Sequence, residues 1–248
     1  MLIDAHCHLS EVFGKPASAL IAEMDAASVD MAIVFAGLGE RGENEFVANA
    51  AAQFPDRFIP FFSFDPRYEE EGVLELEKYI AEKGMRGIKV GHRHANARYM
   101  YPMMEEAQRL GVPVAIHSDH GIRNHPYIIG ELASSYPKVN VIILHMGGGT
   151  SFDTELLSIK VAERNKNVYL ETSYSNPYAV KMAVKKIGPH RILAGTDAAN
   201  GGYETRFERP GQYQELMLDT VRLIGLPSSE EDLILGGNAA RLLGVETE

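Results

Sequence analysis

The chain has 248 residues, with 24 Lys and Arg against 34 Asp and Glu, a formal net charge of −10. A field of that sign repels nucleic acid and anionic membrane surfaces, so neither is expected as a partner. Hydrophobic residues make up 45%, enough to bury a full core at this length. No apolar run reaches the roughly 18 residues a membrane helix needs. Cys7 is the only cysteine, which excludes an internal disulfide framework. Residues 1–6 have no basic segment followed by an apolar one, so no secretory leader is expected and the cytoplasm is the expected location.

Short runs rich in Val, Ile and Phe alternate with longer amphipathic stretches. Residues 2–6 read as the first strand and 17–27 as the first helix. Strands follow over 31–35 and 58–62, then a helix over 69–83 with Leu74, Leu76, Tyr79 and Ile80 set among acids and lysines. A strand over 87–90 precedes a helix over 101–110, and a strand over 112–117 precedes a helix over 127–136. The pattern repeats with a strand at 139–145 and helix at 154–163, then a strand at 168–172 and helix at 178–187. A strand over 191–197 and helices over 212–224 and 239–243 complete it. Runs this short and apolar are buried parallel strands, and eight of them alternating with helices predict an α/β fold, a single (β/α)8 TIM barrel spanning 1–248. An open doubly wound sheet is the alternative, but no G-x-G-x-x-G follows the first strand.

Of nine histidines, all but His190 fall at or just after the end of a predicted strand. Barrel enzymes build their sites at that face. His6 and His8 are two apart on a strand, so they project to one side, about 7 Å apart along it, with Cys7 turned toward the helices. His117 ends the fifth strand, His145 the sixth and Asp197 the eighth. Neutral imidazoles with a carboxylate form a ligand set for zinc or a similar transition metal. Singly, a His-x-His pair or a strand-end Asp carries little weight, since such an Asp commonly caps the next helix. Several strands delivering such groups to one face carry much more.

Ile3-Asp4-Ala5-His6-Cys7-His8, Gly87-Ile88-Lys89-Val90, Pro113 to His117, Leu144-His145-Met146-Gly147-Gly148 and Gly195-Thr196-Asp197 together resemble the motif set of the amidohydrolase superfamily. The resemblance is to its amidohydrolase-2 branch, with the aminocarboxymuconate-semialdehyde decarboxylase-like enzymes, and the tail Ile234 to Leu243 shares it. The resemblance implies one divalent metal ion, zinc first and manganese second, held by His6, His8, His117 and Asp197. It implies that His145 polarises or protonates the substrate; because a carboxylate in the metal's shell can take the proton of its bound water, Asp197 is also the expected general base. The activity expected is hydrolysis of a small carboxylated substrate by metal-activated water. The alternatives are non-oxidative decarboxylation on the same site, a metal-free lactonase and a ligand-binding barrel. Relatives often dimerise, so a homodimer is expected by resemblance.

Lys89 stays open. Other branches of the superfamily carry a carbamylated lysine between two metals on this strand. An unmodified cation pairing with a substrate carboxylate is the favoured reading, and a lysine on the outer face of the strand is a third. The predicted strand-end loops are cationic, and His92, Arg93, Arg123 and Arg206 are candidates for binding an anionic small molecule. Against that, nearby Glu43, Glu45, Glu171 or Glu204 could pair with these arginines. Gly147-Gly148-Gly149-Thr150-Ser151 lacks the Walker pattern and is expected to be a turn that leaves room beside His145.

Overall fold

The computed structural model describes every residue except 13, 15, 38–42, 92–97, 99, 122–123, 149–150, 200–205 and 247–248, and all side chains of those described except that of Glu69. The first strand, β1 (Ile3–Leu9), pairs in parallel with β2 (Met31–Ala36), which pairs with β3 (Phe58–Pro60). A second parallel row runs from β4 (Phe62–Phe64) through β5 (Ile88–Val90), β6 (Val114–Ile116), β7 (Val141–Ile143) and β8 (Val168–Glu171) to β9 (Ile192–Leu193). The segments β3 and β4 are two halves of one predicted strand. On one edge the Phe61 amide still donates to Val34 of β2 (3.0 Å), while on the other the Pro60 carbonyl accepts from the Arg86 amide and the Phe62 amide donates to Gly87 (both 2.8 Å), so this strand joins the two rows.

The last strand returns to the first. The amides of Ala5 and His8 donate to the carbonyls of Ala194 and Ala198, each at 2.8 Å, and Cys7 forms a parallel bridge with Ala198. The eight strands thus form a (β/α)8 barrel. Ile3, Ala5, Ile33, Phe35, Ala115 and Ile142 belong to its inner cluster, together with Ala239, Ala240 and Leu243 of the last helix. Val34, Ile88, Val114, Val141 and Leu170 point outward to the helices.

The helices follow the amphipathic stretches closely, including α1 (Ala17–Ala26) and, farther on, the 15-residue Glu69–Lys83 helix. Besides the five-residue helix Ser228–Asp232, one helix has no counterpart in the sequence reading, α2 (Asn44–Gln53). It buries Val47, Ala48, Ala50 and Ala51, and alanines give little apolar contrast for a periodic pattern to show. Its first residue, Asn44, anchors β4 by accepting from the Ser63 amide (2.8 Å) and donating to the Ser63 carbonyl (3.0 Å). No helix among the described residues is long and apolar enough to cross a membrane.

Candidate metal centre

The register of β1 against β2 slips between Asp4 and Cys7. Ala5 lies in the inner cluster, while Cys7 and Leu9 pack among the helices. Strict alternation from Ala5 would send Cys7 inward and His6 outward. The bulge reverses this and turns His6 and His8 into the barrel mouth. Burial pushes the Cys7 thiol well up, as suits a thiol packed in the core. Behind it, Asp4 accepts from the amides of His6 and Thr196, from the Thr196 hydroxyl and from Gln214, tying β1 to the Asp197 segment.

Four imidazoles stand in a row across the mouth. Successive ring centroids are 5.1 Å apart for His8 and His6, 4.9 Å for His6 and His145, and 4.8 Å for His145 and His117. Asp197 faces the row, its Oδ1 2.9 Å from His6 Nε2 and 3.0 Å from His8 Nε2. His6, His145 and Asp197 offer three ligand atoms within 4.8 Å of one another. His8 Nε2 lies 3.2 Å from His6 Nε2. The structure therefore brings His145 into the donor group, while His117, expected there from sequence, stands one ring farther out with its Nδ1 3.1 Å from His145 Nε2.

The other ring nitrogens are anchored. His6 Nδ1 meets Glu171 Oε2 at 3.0 Å, His8 Nδ1 meets the Ala36 carbonyl at 3.2 Å, and His145 Nδ1 meets Ser173 Oγ at 2.7 Å. Rings that bind a metal through one nitrogen commonly donate the other N–H to such an acceptor. Two imidazole nitrogens with a carboxylate oxygen, each ring fixed from behind, fit a divalent transition metal.

Electrostatics sort the same groups. Burial and the Lys89 charge work against a proton on His6, but Asp197 and Glu171 outweigh them and raise its pKa. Burial lowers His8, and drives His145 well below the ordinary value for histidine. Burial alone would raise Asp197, yet the imidazoles of His6, His8 and His145 hold it well below the carboxylate range.

Lys89 faces inward. It is in register with Ser63 and Ala115, and Ala115 belongs to the inner cluster, so the outer-face reading is corrected. Its Nζ is 3.3 Å from His6 Nε2 and 4.8 Å from the centre of the Phe35 ring. Burial lowers its pKa to about 8 against the pull of Asp197 and Glu171.

Glu171, one of the glutamates weighed as an arginine partner, sits against the imidazoles. It is completely buried and meets the His6 ring, the His145 backbone amide and the Ser173 hydroxyl. Only its place at the end of a predicted strand, two residues before Ser173, could have marked it. The other two described carboxylates also serve elsewhere, Glu43 with Ser10 and Val12, Glu45 with Lys83 and Tyr79. Of the anion-binding candidates, His92, Arg93 and Arg123 lie outside the described residues, as does Glu204, and Arg206 is exposed. Tyr174 forms a wall, its ring centroid 5.7 Å from that of His145, and is anchored by a 2.9 Å bond to Tyr213. The glycine turn serves packing: a Cβ on Gly147 would collide with Ser158 and Thr154 of the next helix.

Backbone strain gathers here as well. His145, Met146, Tyr174, Asp197 and Ala199 have φ between 47° and 63°. For residues with a Cβ this conformation costs about 1–3 kcal/mol each and persists where surrounding contacts impose it, as at functional sites.

The family model described as Amidohydrolase matches residues 3–245. Among curated proteins, the chain is 22% identical over 244 residues to a 2-amino-3-carboxymuconate-6-semialdehyde decarboxylase of Dictyostelium discoideum, covering 82% of this chain and 66% of that protein. It is 27% identical over 210 residues to a gamma-resorcylate decarboxylase of Polaromonas sp. strain JS666, covering 63% and 64% respectively. The chain thus spans slightly under two thirds of the length of these relatives. Among solved structures, a dihydroxybenzoic acid decarboxylase from Polaromonas sp. JS666, with bound manganese and the inhibitor 2-nitroresorcinol, superposes with a TM-score of 0.74 at 19% identity. That match covers 100% of this chain and 98% of the other, and shows a shared fold.

Proposed function

The chain belongs to the amidohydrolase family, in its amidohydrolase-2 branch, and from that premise we propose that it is a metal-dependent carboxy-lyase of small carboxylated substrates. The observation that carries the reading is the buried donor group of His6, His145 and Asp197, beside His8 and with the buried amine of Lys89 in the same mouth. Hydrolysis, the first expectation from sequence, gives way to decarboxylation because the curated relatives are decarboxylases.

His6, His8, His145 and Asp197 are the proposed holders of one divalent ion, manganese or zinc. When bound, such an ion supplies a fixed positive charge that attracts and polarises an anionic oxygen of the substrate. The rest falls to the chain. In non-oxidative decarboxylation the carbon–carboxyl bond breaks, carbon dioxide leaves, and the electron pair remaining on carbon takes up one proton. No oxidant is needed. Lys89, cationic below about pH 8, is placed to pair with a substrate carboxylate at a buried position where water screens poorly. Asp197 Oδ1, between the Nε2 atoms of His6 and His8, is the proposed atom through which the proton passes. Tyr174 and Phe35 provide aromatic surface around the rings, which suits a flat, unsaturated or aromatic acid.

The test is to strip the protein of metal, reload it with manganese or zinc, and offer hydroxylated benzoates and unsaturated dicarboxylates. Carbon dioxide release matched by a product lacking one carboxyl group, absent without metal, is expected. A new ionisable group without carbon dioxide would return the reading to hydrolysis. Failure of a metal-loaded protein to act on any of these acids would overturn the substrate class.

A further inference from the structure

We infer that Glu171 and Ser173 form a positioning pair that fixes the protons of two site imidazoles at once and thereby sets the affinity of the metal centre, an inference that rests on the reading just given. The Glu171 carboxylate, completely buried, accepts from His6 Nδ1 (3.0 Å), the His145 amide (3.1 Å), the Ser173 hydroxyl (2.8 Å) and the Ser173 amide. A carboxylate only accepts, so the Ser173 hydroxyl directs its single proton to Glu171. It then presents a lone pair to His145 Nδ1, 2.7 Å away. That nitrogen must donate, so the proton of the neutral His145 ring sits on Nδ1 and its Nε2 is left bare. His6 donates its Nδ1–H to the same Glu171 oxygen. Its Nε2 is therefore the nitrogen left facing Asp197 Oδ1, 2.9 Å away.

A free imidazole divides its proton between both nitrogens, and each ring with the wrong tautomer offers an ion an N–H instead of a lone pair. One side chain prevents this for both rings, for His6 directly and for His145 through a hydroxyl. The local sequence supports the arrangement. Glu171 is the last residue of β8, and Ser173, two residues on, returns to the carboxylate through both its amide and its hydroxyl. Between them, the Thr172 hydroxyl accepts from the Gly195 amide at 3.4 Å and ties this segment to the one carrying Asp197. The His145 amide bond to Glu171 also holds that residue at its φ of 59°.

The experiment compares Ser173→Ala, Ser173→Thr and Glu171→Gln with the wild-type protein. Long-range ¹⁵N–¹H spectra of the metal-free protein, with the His145 signals assigned through His145→Asn, read the tautomer directly. Competition against a chromogenic chelator reads manganese(II) affinity, and urea unfolding reads stability separately. Expected are an Nδ1–H tautomer for wild-type His145, a tautomer mixture in Ser173→Ala, and recovery in Ser173→Thr. Manganese should bind about 10–100-fold more weakly to Glu171→Gln, and less severely so to Ser173→Ala. A wild-type Nε2–H tautomer, or wild-type manganese affinity in both Ser173→Ala and Glu171→Gln, would overturn the inference alone. A wild-type protein that takes up no manganese would overturn the metal reading and the link to affinity, while the ring spectra would still decide where the protons sit.

Discussion

Replacing Gly195 with alanine tests the support of the site through a residue that touches no ligand atom. The added Cβ would press on Oε1 of Glu171 and lie 2.8 Å from its Cδ and 3.0 Å from its Cγ. Carbon atoms pack at about 3.5–4.0 Å, so the carboxylate must retreat by roughly 0.5–1 Å. Its bonds to His6, His145 and Ser173 measure 2.8–3.1 Å, and a retreat of that size takes one or two of them out of range. Overpacking costs about 1–3 kcal/mol, and each hydrogen bond lost to a charged group about 1.5–3 kcal/mol. Together they lower stability by about 2.5–9 kcal/mol, a large share of the roughly 5–15 kcal/mol typical of a folded domain. Urea unfolding should therefore show a clearly lower midpoint with little change in slope, and manganese affinity should fall about 10–100-fold. Gly237→Ala is the control, because its Cβ would meet only ordinary contacts, at 3.4 Å from Leu233 and 3.5 Å from the Asp232 carbonyl. A Gly195→Ala protein with the wild-type midpoint and wild-type affinity would refute the reasoning.

Asp197→Asn should reduce kcat by about 10²–10⁴-fold even where metal is retained, since the amide cannot pass the proton; near-normal turnover would remove Asp197 from that role. Lys89 predicts a pH dependence in the metal-free protein. Its folded pKa of about 8 lies below the ordinary 10.5, so between those values the unfolded chain binds more protons and stability rises with pH. Lys89→Met, which buries no charge, should be the more stable protein near neutrality. Its advantage should shrink by about 3 kcal/mol from pH 8 to 10.5, as followed by urea unfolding at several pH values. A constant difference across that range would mean that the Lys89 amine is not desolvated as described.

The sequence by itself determined the barrel. Period and composition along 248 residues locate the strands to within a few positions, because a strand buried on both faces must be short and continuously apolar. It also placed His6, His8, His117, His145 and Asp197 at one end of the barrel, since a parallel barrel brings all strand ends to the same face. The α2 helix escaped because alanine packing leaves no periodic contrast. What only the tertiary structure decided is which of these groups meet. The meeting of the His145 ring with those of His6 and His117 depends on distances across the barrel between strands remote in sequence. The inward aim of His6 and His8 depends on a bulge whose position is set by pairing with β2. The role of Glu171 was hidden for the same reason. Its partners His6 and Ser173 lie 165 and 2 residues away, and a glutamate at a strand end looks alike in sequence whether it meets an arginine or an imidazole. Local propensity writes the elements into the chain, whereas the chemistry of a buried carboxylate is decided by whatever the closed barrel places against it.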